Sequence, residues 1–456
     1  MAIDRQRLRE LIEQEEATYL RTHRKSYELY KQAQTCLLAG VPMHWMVRSA
    51  GNFPITVTEG SGARFRCVDG HEYVDLCLGD TGAMAGHAPP TTSKAVAARA
   101  AAGITFMLPT EDAVWCGQEL TRRFGLKYWQ FALTATDANR FSIRLARHIT
   151  GRPKILVFNY CYHGSVEETF ITLRADGTPA LRAGNLGPPV DPRVTAKVVE
   201  FNDLAALEAA LAPGDVAAVL AEPAMTNIGI IHPDPGYHQA LREICTRTGT
   251  LLIIDETHTI CAGPGGYTRA HGLQPDIFVL GKPIAGGVPV AVYGFTEQLA
   301  ARLAGRIAVD ESDTGGIGGT LAGNALSLAA MRATLEHVLT EDAFRHTISL
   351  AQRFEAGVEG VIAAHGLPWI VKRLGCRVEY WFRPDPPRNG GEAAATVDAD
   401  LDRFMHLAAL NRGIMLTPFH NMALMAPTTT AADVDRHTAV FGECVELLLG
   451  RRPSRL

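Results

Sequence analysis

Four nearly continuous apolar runs punctuate the middle of the chain, at residues 154–158, 216–220, 251–254 and 277–280. Runs this short, without alternating polar positions, predict strands buried on both faces. Helical spacing fills the intervals between them from about residue 83 to 330. That alternation predicts an α/β fold with a mostly parallel sheet covered by helices. Outside this region the texture changes. Leu8, Leu11 and Ile12, then Tyr19 and Leu20, recur at helical spacing and predict an N-terminal helical arm over residues 4–38. Residues 55–58 and 63–68 alternate about Gly60-Ser61-Gly62, the pattern of a hairpin. Past residue 330 come further helices and strands, broken by a Pro- and Gly-rich stretch at 383–391 that reads as a surface loop. The pattern divides the chain into 1–82, 83–330 and 331–456.

Two of the buried runs end in charge. One leads into Asp255-Glu256, the other through Gly281 to Lys282. The carboxyl ends of parallel strands share an edge, and ligands of open α/β sheets bind there. An ammonium is costly to bury unless it is paired or neutralised. A lysine that forms a Schiff base with a carbonyl cofactor escapes that cost. A carboxylate such as Asp255 is the partner required by the pyridine nitrogen of pyridoxal phosphate (PLP). Lys282 and Asp255 are therefore the candidate catalytic residues, and PLP is the candidate cofactor.

Other groups fall at strand ends or in the loops that follow. Thr134-Ala135-Thr136 follows a strand at 128–133 and precedes a helix at 137–149. Alone it reads as an N-cap; beside Lys282 and Asp255 it reads as a phosphate site at a helix N-terminus. Tyr162-His163-Gly164 lies past the strand ending at Phe158, where an aromatic ring can cover a planar cofactor or simply pack as a loop tyrosine. Glu222 and Asn227 follow the 216–220 run, placed to order a cofactor's phenolic oxygen or a strand-end turn. The glycine-rich stretch from Gly315 to Thr320 offers backbone N–H groups to an anion. A P-loop is excluded, because Gly281-Lys282-Pro283 lacks the upstream glycine and the following Ser or Thr. His258 has no second ligand at helical spacing, so it reads as a loop histidine and no metal site is expected.

Composition narrows the class. Acidic residues (48) outnumber basic ones (44), a net charge of −4 that argues against nucleic acid or an anionic membrane as partner. The first residues are polar, with no apolar segment after them, and no run reaches the roughly 18 apolar residues of a membrane helix. Nine cysteines, an odd number without C-x-x-C spacing, suit reduced thiols and a cytoplasmic protein.

Asp255-Glu256-Thr257, the stretch from Leu280 to Gly287, Tyr162-His163-Gly164, Glu222-Pro223 and the stretch from Gly319 to Asn324 together resemble the class III aminotransferases. The closest likeness is to the branch holding glutamate-1-semialdehyde aminomutase and β-phenylalanine aminotransferases, from about Gly40 to the C-terminus. The resemblance implies a fold-type I PLP-dependent transferase with a mostly parallel seven-stranded sheet and a smaller α+β domain from the two termini. It implies a homodimer with active sites at the interface. Lys282 would hold the cofactor, Asp255 would pair with its ring nitrogen, and Tyr162, with His163 beside it, and Thr257 would flank the ring. Glu222 and Asn227 would support the phenolic oxygen, Thr134, Ala135 and Thr136 would cup the phosphate, and Thr320 would reach it from the partner subunit. Thr134-Ala135-Thr136-Asp137 and Thr257 depart from the family's usual residues.

Where the β-amino-acid branch places arginines for substrate carboxylates, this chain has Trp45 and Phe419. Arginine clamps carboxylates in bidentate fashion, whereas aromatics favour apolar groups. With Met43 and Arg48 these residues form the candidate substrate pocket. The expectation is a transaminase that takes a bulky or aromatic amine as donor and a keto acid as acceptor. A β- or ω-amino-acid aminotransferase, or an aminomutase, is the alternative. A non-catalytic binding module fits less well, since both the lysine and the aspartate are present.

Overall fold

The computed structural model describes residues 3–304 and 315–451. The chain forms two compact units, one of residues 90–341 with 387–395 and one of residues 1–89, 342–386 and 396–456. The junctions lie several residues beyond the changes of texture at 83 and 330.

The larger unit is built on seven strands: β1 (Tyr128–Ala132), β2 (Lys154–Phe158), β3 (Ala196–Val199), β4 (Val216–Ala221), β5 (Leu251–Asp255), β6 (Ile277–Leu280) and β7 (Ala291–Phe295). They lie in the order β1-β7-β6-β5-β4-β2-β3. The neighbours from β6 to β3 are parallel, and β7 alone runs antiparallel, to both β6 and β1. Every residue of β4, β5, β6 and β7 is buried, so these strands need apolar residues at each position, as the uninterrupted runs require. The helix α1 (Ala135–Thr150) packs its apolar stripe, including Phe141, Ile143, Leu145 and Ile149, into the same core. It begins two residues before the sequence pattern places it, so Ala135 and Thr136 belong to its first turn. The helix α2 (Ala325–His337) is also largely buried.

In the smaller unit the predicted arm is two helices, Arg5–Thr22 and Arg24–Ala33, with Leu38–Gly40 in a separate 3-10 turn. His23 breaks the run: it leaves helical geometry, and its buried ring meets the Tyr73 hydroxyl at 2.5 Å. The hairpin is present as Val57–Ser61 and Arg64–Cys67, shifted so that Gly60 and Ser61 extend the first strand and the turn falls at Gly62 and Ala63. This hairpin continues through Glu72–Asp75 to Ile414–Met415, and a second sheet joins Ile370–Leu374, Arg377–Trp381 and Met422–Leu424. Tyr19, Phe53, Phe65, Tyr73, Leu407 and Leu410 share a core in this unit. The 383–391 stretch is a loop only in part. Gly390 and Gly391 open a short helix capped by Asn389, and Gly390 is buried against the Asn159 carbonyl in the larger unit.

Candidate active site

Strand register brings the lysine and the aspartate together. β5 and β6 are parallel, and Asp255 pairs with Val279, so the residues after both strands emerge at one edge. Lys282 lies three residues past that register and begins a 3-10 turn at φ +54°, a left-handed conformation uncommon for a non-glycine residue. Such backbone strain, on the order of 1–3 kcal/mol, persists where the surroundings enforce it and clusters at functional sites. Across β7, Ala132 at the end of β1 pairs with Ala291, which brings the start of α1 to the same edge. A Cβ on Gly281 would stand 3.1 Å from Ala135 Cβ and 3.4 Å from its N, so a larger residue would need the helix start to give by a few tenths of an ångström.

Asp255 is buried in a hydrogen-bonded chain. Its Oδ2 accepts from Asn139 Nδ2 at 2.8 Å and lies 2.9 Å from His163 Nδ1, while its Oδ1 accepts from the Thr257 N–H at 3.0 Å. Burial alone would raise the carboxyl; the His163 hydrogen bond and charge, with Thr257 and Asn139, hold it below the usual carboxylate range instead. Burial works to lower His163, but Cys161 and Asp255 beside it raise the imidazole well above its ordinary value. The carboxylate thus stays ionised beside His163, at the sheet edge where a ring nitrogen needs a negative partner. Glu256 points elsewhere: buried, it accepts from Thr259 Oγ1 at 2.6 Å and from the N–H groups of Tyr267 and Thr268, and so ties down the following loop.

The remaining candidates occupy neighbouring loops of the larger unit. The Thr134 side chain caps α1, accepting from the Asp137 N–H at 3.2 Å, which leaves the Ala135 and Thr136 end of the helix facing the site edge. Thr136 Oγ1 accepts from the Ser165 N–H at 3.1 Å, tying the Tyr162-His163-Gly164 loop to that helix start. A Cβ on Gly164, at φ +82°, would collide with Thr136. Tyr162 is 41% exposed. Glu222 is buried and bonded to Thr226, and Asn227 donates to the Tyr160 carbonyl at 2.8 Å. Thr257 is buried, and Thr320 is exposed.

Two participants escape the sequence reading. Asn139 is fully buried and bridges Asp255 and the His163 carbonyl. Its signal was an amide on the apolar stripe of α1, in line with Ser142, Ile143 and Ala146. His258, read as a loop histidine, places its Nε2 2.7 Å from Lys282 Nζ.

Within the smaller unit, the Trp45 ring meets the Phe419 ring edge to face, with centroids 5.3 Å apart. The Arg48 guanidinium lies 5.7 Å over Phe419, and Met43 precedes the 3-10 turn that carries Trp45. Among the described residues no group of three or more His, Cys, Asp and Glu is arranged to hold a metal ion, and no helix is long and apolar enough to cross a membrane.

An amine, an ionised buried carboxylate and a helix N-terminus at one edge are the donor set that PLP requires. Comparison with known proteins agrees. The family model for class III aminotransferases matches residues 45–444. A glutamate-1-semialdehyde aminomutase of Pseudomonas aeruginosa PAO1 is 50% identical, with a TM-score of 0.96 over 98% of this chain and 100% of its own. A lysine-to-alanine form of that protein has been solved in complex with PMP. The glutamate-1-semialdehyde 2,1-aminomutase of Desulfitobacterium hafniense is 32% identical over 426 residues, 90% of this chain and 95% of its own. The β-phenylalanine aminotransferase of Variovorax paradoxus is 25% identical, with a TM-score of 0.85 over 98% and 100% of the two chains. The match runs through nearly the whole length, and this chain belongs to the class III aminotransferases, fold-type I enzymes that work with pyridoxal phosphate.

Proposed function

We propose that the protein is an aminomutase of the glutamate-1-semialdehyde type, moving an amino group between adjacent carbons of one small substrate. The observation that carries this reading is the 50% identity, over 98% of the chain, with the Pseudomonas aeruginosa aminomutase. The bulky-amine transaminase expected from Trp45 and Phe419 thereby becomes the second reading. The edge-to-face contact of those two rings favours it, since an aromatic corner suits apolar groups better than carboxylates.

In either case PLP supplies an aldehyde that captures the substrate amine and a ring that accepts the electron pair left when the carbon loses its proton. Lys282 would hold the cofactor and, as a free amine, would take the proton from the substrate carbon and deliver it to the cofactor carbon that had held the lysine. Asp255, held ionised, keeps a proton on the ring nitrogen. Tyr162 and Thr257 flank the ring, Glu222 and Asn227 order the phenolic side, and the start of α1 holds the phosphate. The protein acts as a homodimer in which Thr320 reaches the partner's phosphate, and its free thiols suit the cytoplasm.

The test is a single question of stoichiometry. Glutamate 1-semialdehyde supplied alone is expected to become 5-amino-4-oxopentanoate, because the amino group that leaves one carbon returns to its neighbour. Strict dependence on added keto acid, with arylalkylamines as the better donors, would replace the mutase by the transaminase.

A further inference from the structure

His258 lies just past the end of β5, and its Nε2 sits 2.7 Å from the Nζ of Lys282. Both side chains are half-buried. At this distance one of the two nitrogens donates a hydrogen bond to the other. Charged groups on the neighbouring described elements have partners of their own. Asp255 is bound by His163 and Asn139, and Glu256 by Thr259 and the Tyr267 and Thr268 N–H groups. Arg269, on the short helix packed beside the His258 turn, donates to the carbonyls of residues 122 and 123. On α2, which packs against the lysine turn, Arg332 pairs with Asp112 and Glu336, and His337 lies against Glu336. An imidazole exchanges protons readily near neutral pH, so His258 is chemically matched to serve the amine it touches.

We propose that His258 is the acid–base partner of Lys282 each time the lysine forms its bond to the PLP aldehyde. The Nζ lone pair attacks the aldehyde carbon, and the carbonyl π pair moves to its oxygen. His258 Nε2 carries the two N–H protons of the amine in turn to that oxygen. The oxygen departs as water while the C=N bond forms, with no net change in protons or electrons. The departing oxygen would sit on the carbon that Nζ bonds, and Nζ lies 2.7 Å from the His258 ring nitrogen. The inference rests on Lys282 being the capturing amine.

The experiment mixes the cofactor-free protein with PLP and follows the visible absorption band of covalent capture from pH 6 to 9. Borohydride reduction and peptide mass then identify the modified residue. Binding of pyridoxamine phosphate, which forms no bond to lysine, serves as the control. For His258→Gln and His258→Ala the expected result is capture roughly 10- to 100-fold slower, at the low end of acid–base contributions. The near-neutral limb of the pH profile is lost, pyridoxamine phosphate affinity stays within about threefold, and free imidazole partly restores the alanine variant. Capture within twofold of wild type across the range, or a matching fall in pyridoxamine phosphate affinity, overturns the role of His258. Lys282→Ala separates the two readings: covalent capture that persists at another residue would overturn the assignment of the lysine itself.

Discussion

At the scale of single residues, the charge of the site rests on Asp255 and what surrounds it. Three donors converge on one buried carboxylate: His163, Asn139 and the Thr257 N–H. Their effect is to keep it ionised where burial alone would protonate it. Removing the carboxylate and removing one donor should therefore differ in kind. Asp255→Ala is expected to slow single-turnover loss of the cofactor's absorption band by roughly two to three orders of magnitude, the range of an electrostatic partner in a buried site. Asn139→Ala leaves the charge in place, so it should cost roughly tenfold in that rate and about 1–2 kcal/mol in denaturant stability. An Asp255→Ala protein within tenfold of wild type would remove the carboxylate from its assigned role. Asp255 and Lys282 were legible in the sequence because charge at the end of a fully apolar run is conspicuous. Asn139 and His258 were not. One is a polar residue on an amphipathic helix that only the fold aims at Asp255, and the other meets Lys282 because two separate turns converge.

At the scale of elements, the site is a meeting of strand ends with one helix start, and its tolerance is set by backbone approach. Gly281 marks the closest point. A methyl group there falls 3.1 Å from Ala135 Cβ and 3.3 Å from Ala291 Cβ, tighter than ordinary contact but open to a small shift. Gly281→Ala should push the first turn of α1 away from the lysine turn. The expected outcome is a loss of about 1–3 kcal/mol in unfolding free energy, typical of overpacking, and weaker cofactor binding by equilibrium titration. Unchanged affinity together with lowered stability would show that the helix start does not hold the phosphate. The strands that meet here were legible because burial on both faces leaves unbroken apolar runs. Their boundaries came through within a residue, as in β4, which continues to Ala221. The start of α1 was legible only in part, since Thr134-Ala135-Thr136 read as a cap but the helix was placed from residue 137. Thr134 caps two residues earlier than the pattern suggested, and Ala135 and Thr136 carry no apolar signal of their own. The hairpin shifted for a related reason: of the expected turn Gly60-Ser61-Gly62, only Gly62, at φ +58°, has the conformation the turn requires.

At the scale of the whole molecule, the proposed homodimer turns on Thr320. It is exposed in the single chain, at the end of a glycine-rich stretch, whereas the proposed phosphate site is the start of α1 in the same unit. If Thr320 serves the partner's phosphate, a twofold dimer contains two sites, each built from both chains. Sedimentation should then give twice the chain mass, and cofactor should strengthen the association, since a ligand held by both chains stabilises the assembly that binds it. The decisive form is complementation. Lys282→Ala and Thr320→Val proteins are mixed, exchanged and assayed at PLP concentrations too low to saturate the Thr320 variant. In each mixed dimer one site carries both defects and the other carries neither, so activity should recover to about a quarter of the wild-type value after random exchange. If Thr320 acts within its own chain, each site of the mixed dimer carries one defect and no recovery follows. The two arrangements predict opposite outcomes from the same tube. A hydroxyl that belongs to its own site cannot rescue a partner, and one that belongs to the partner's site must.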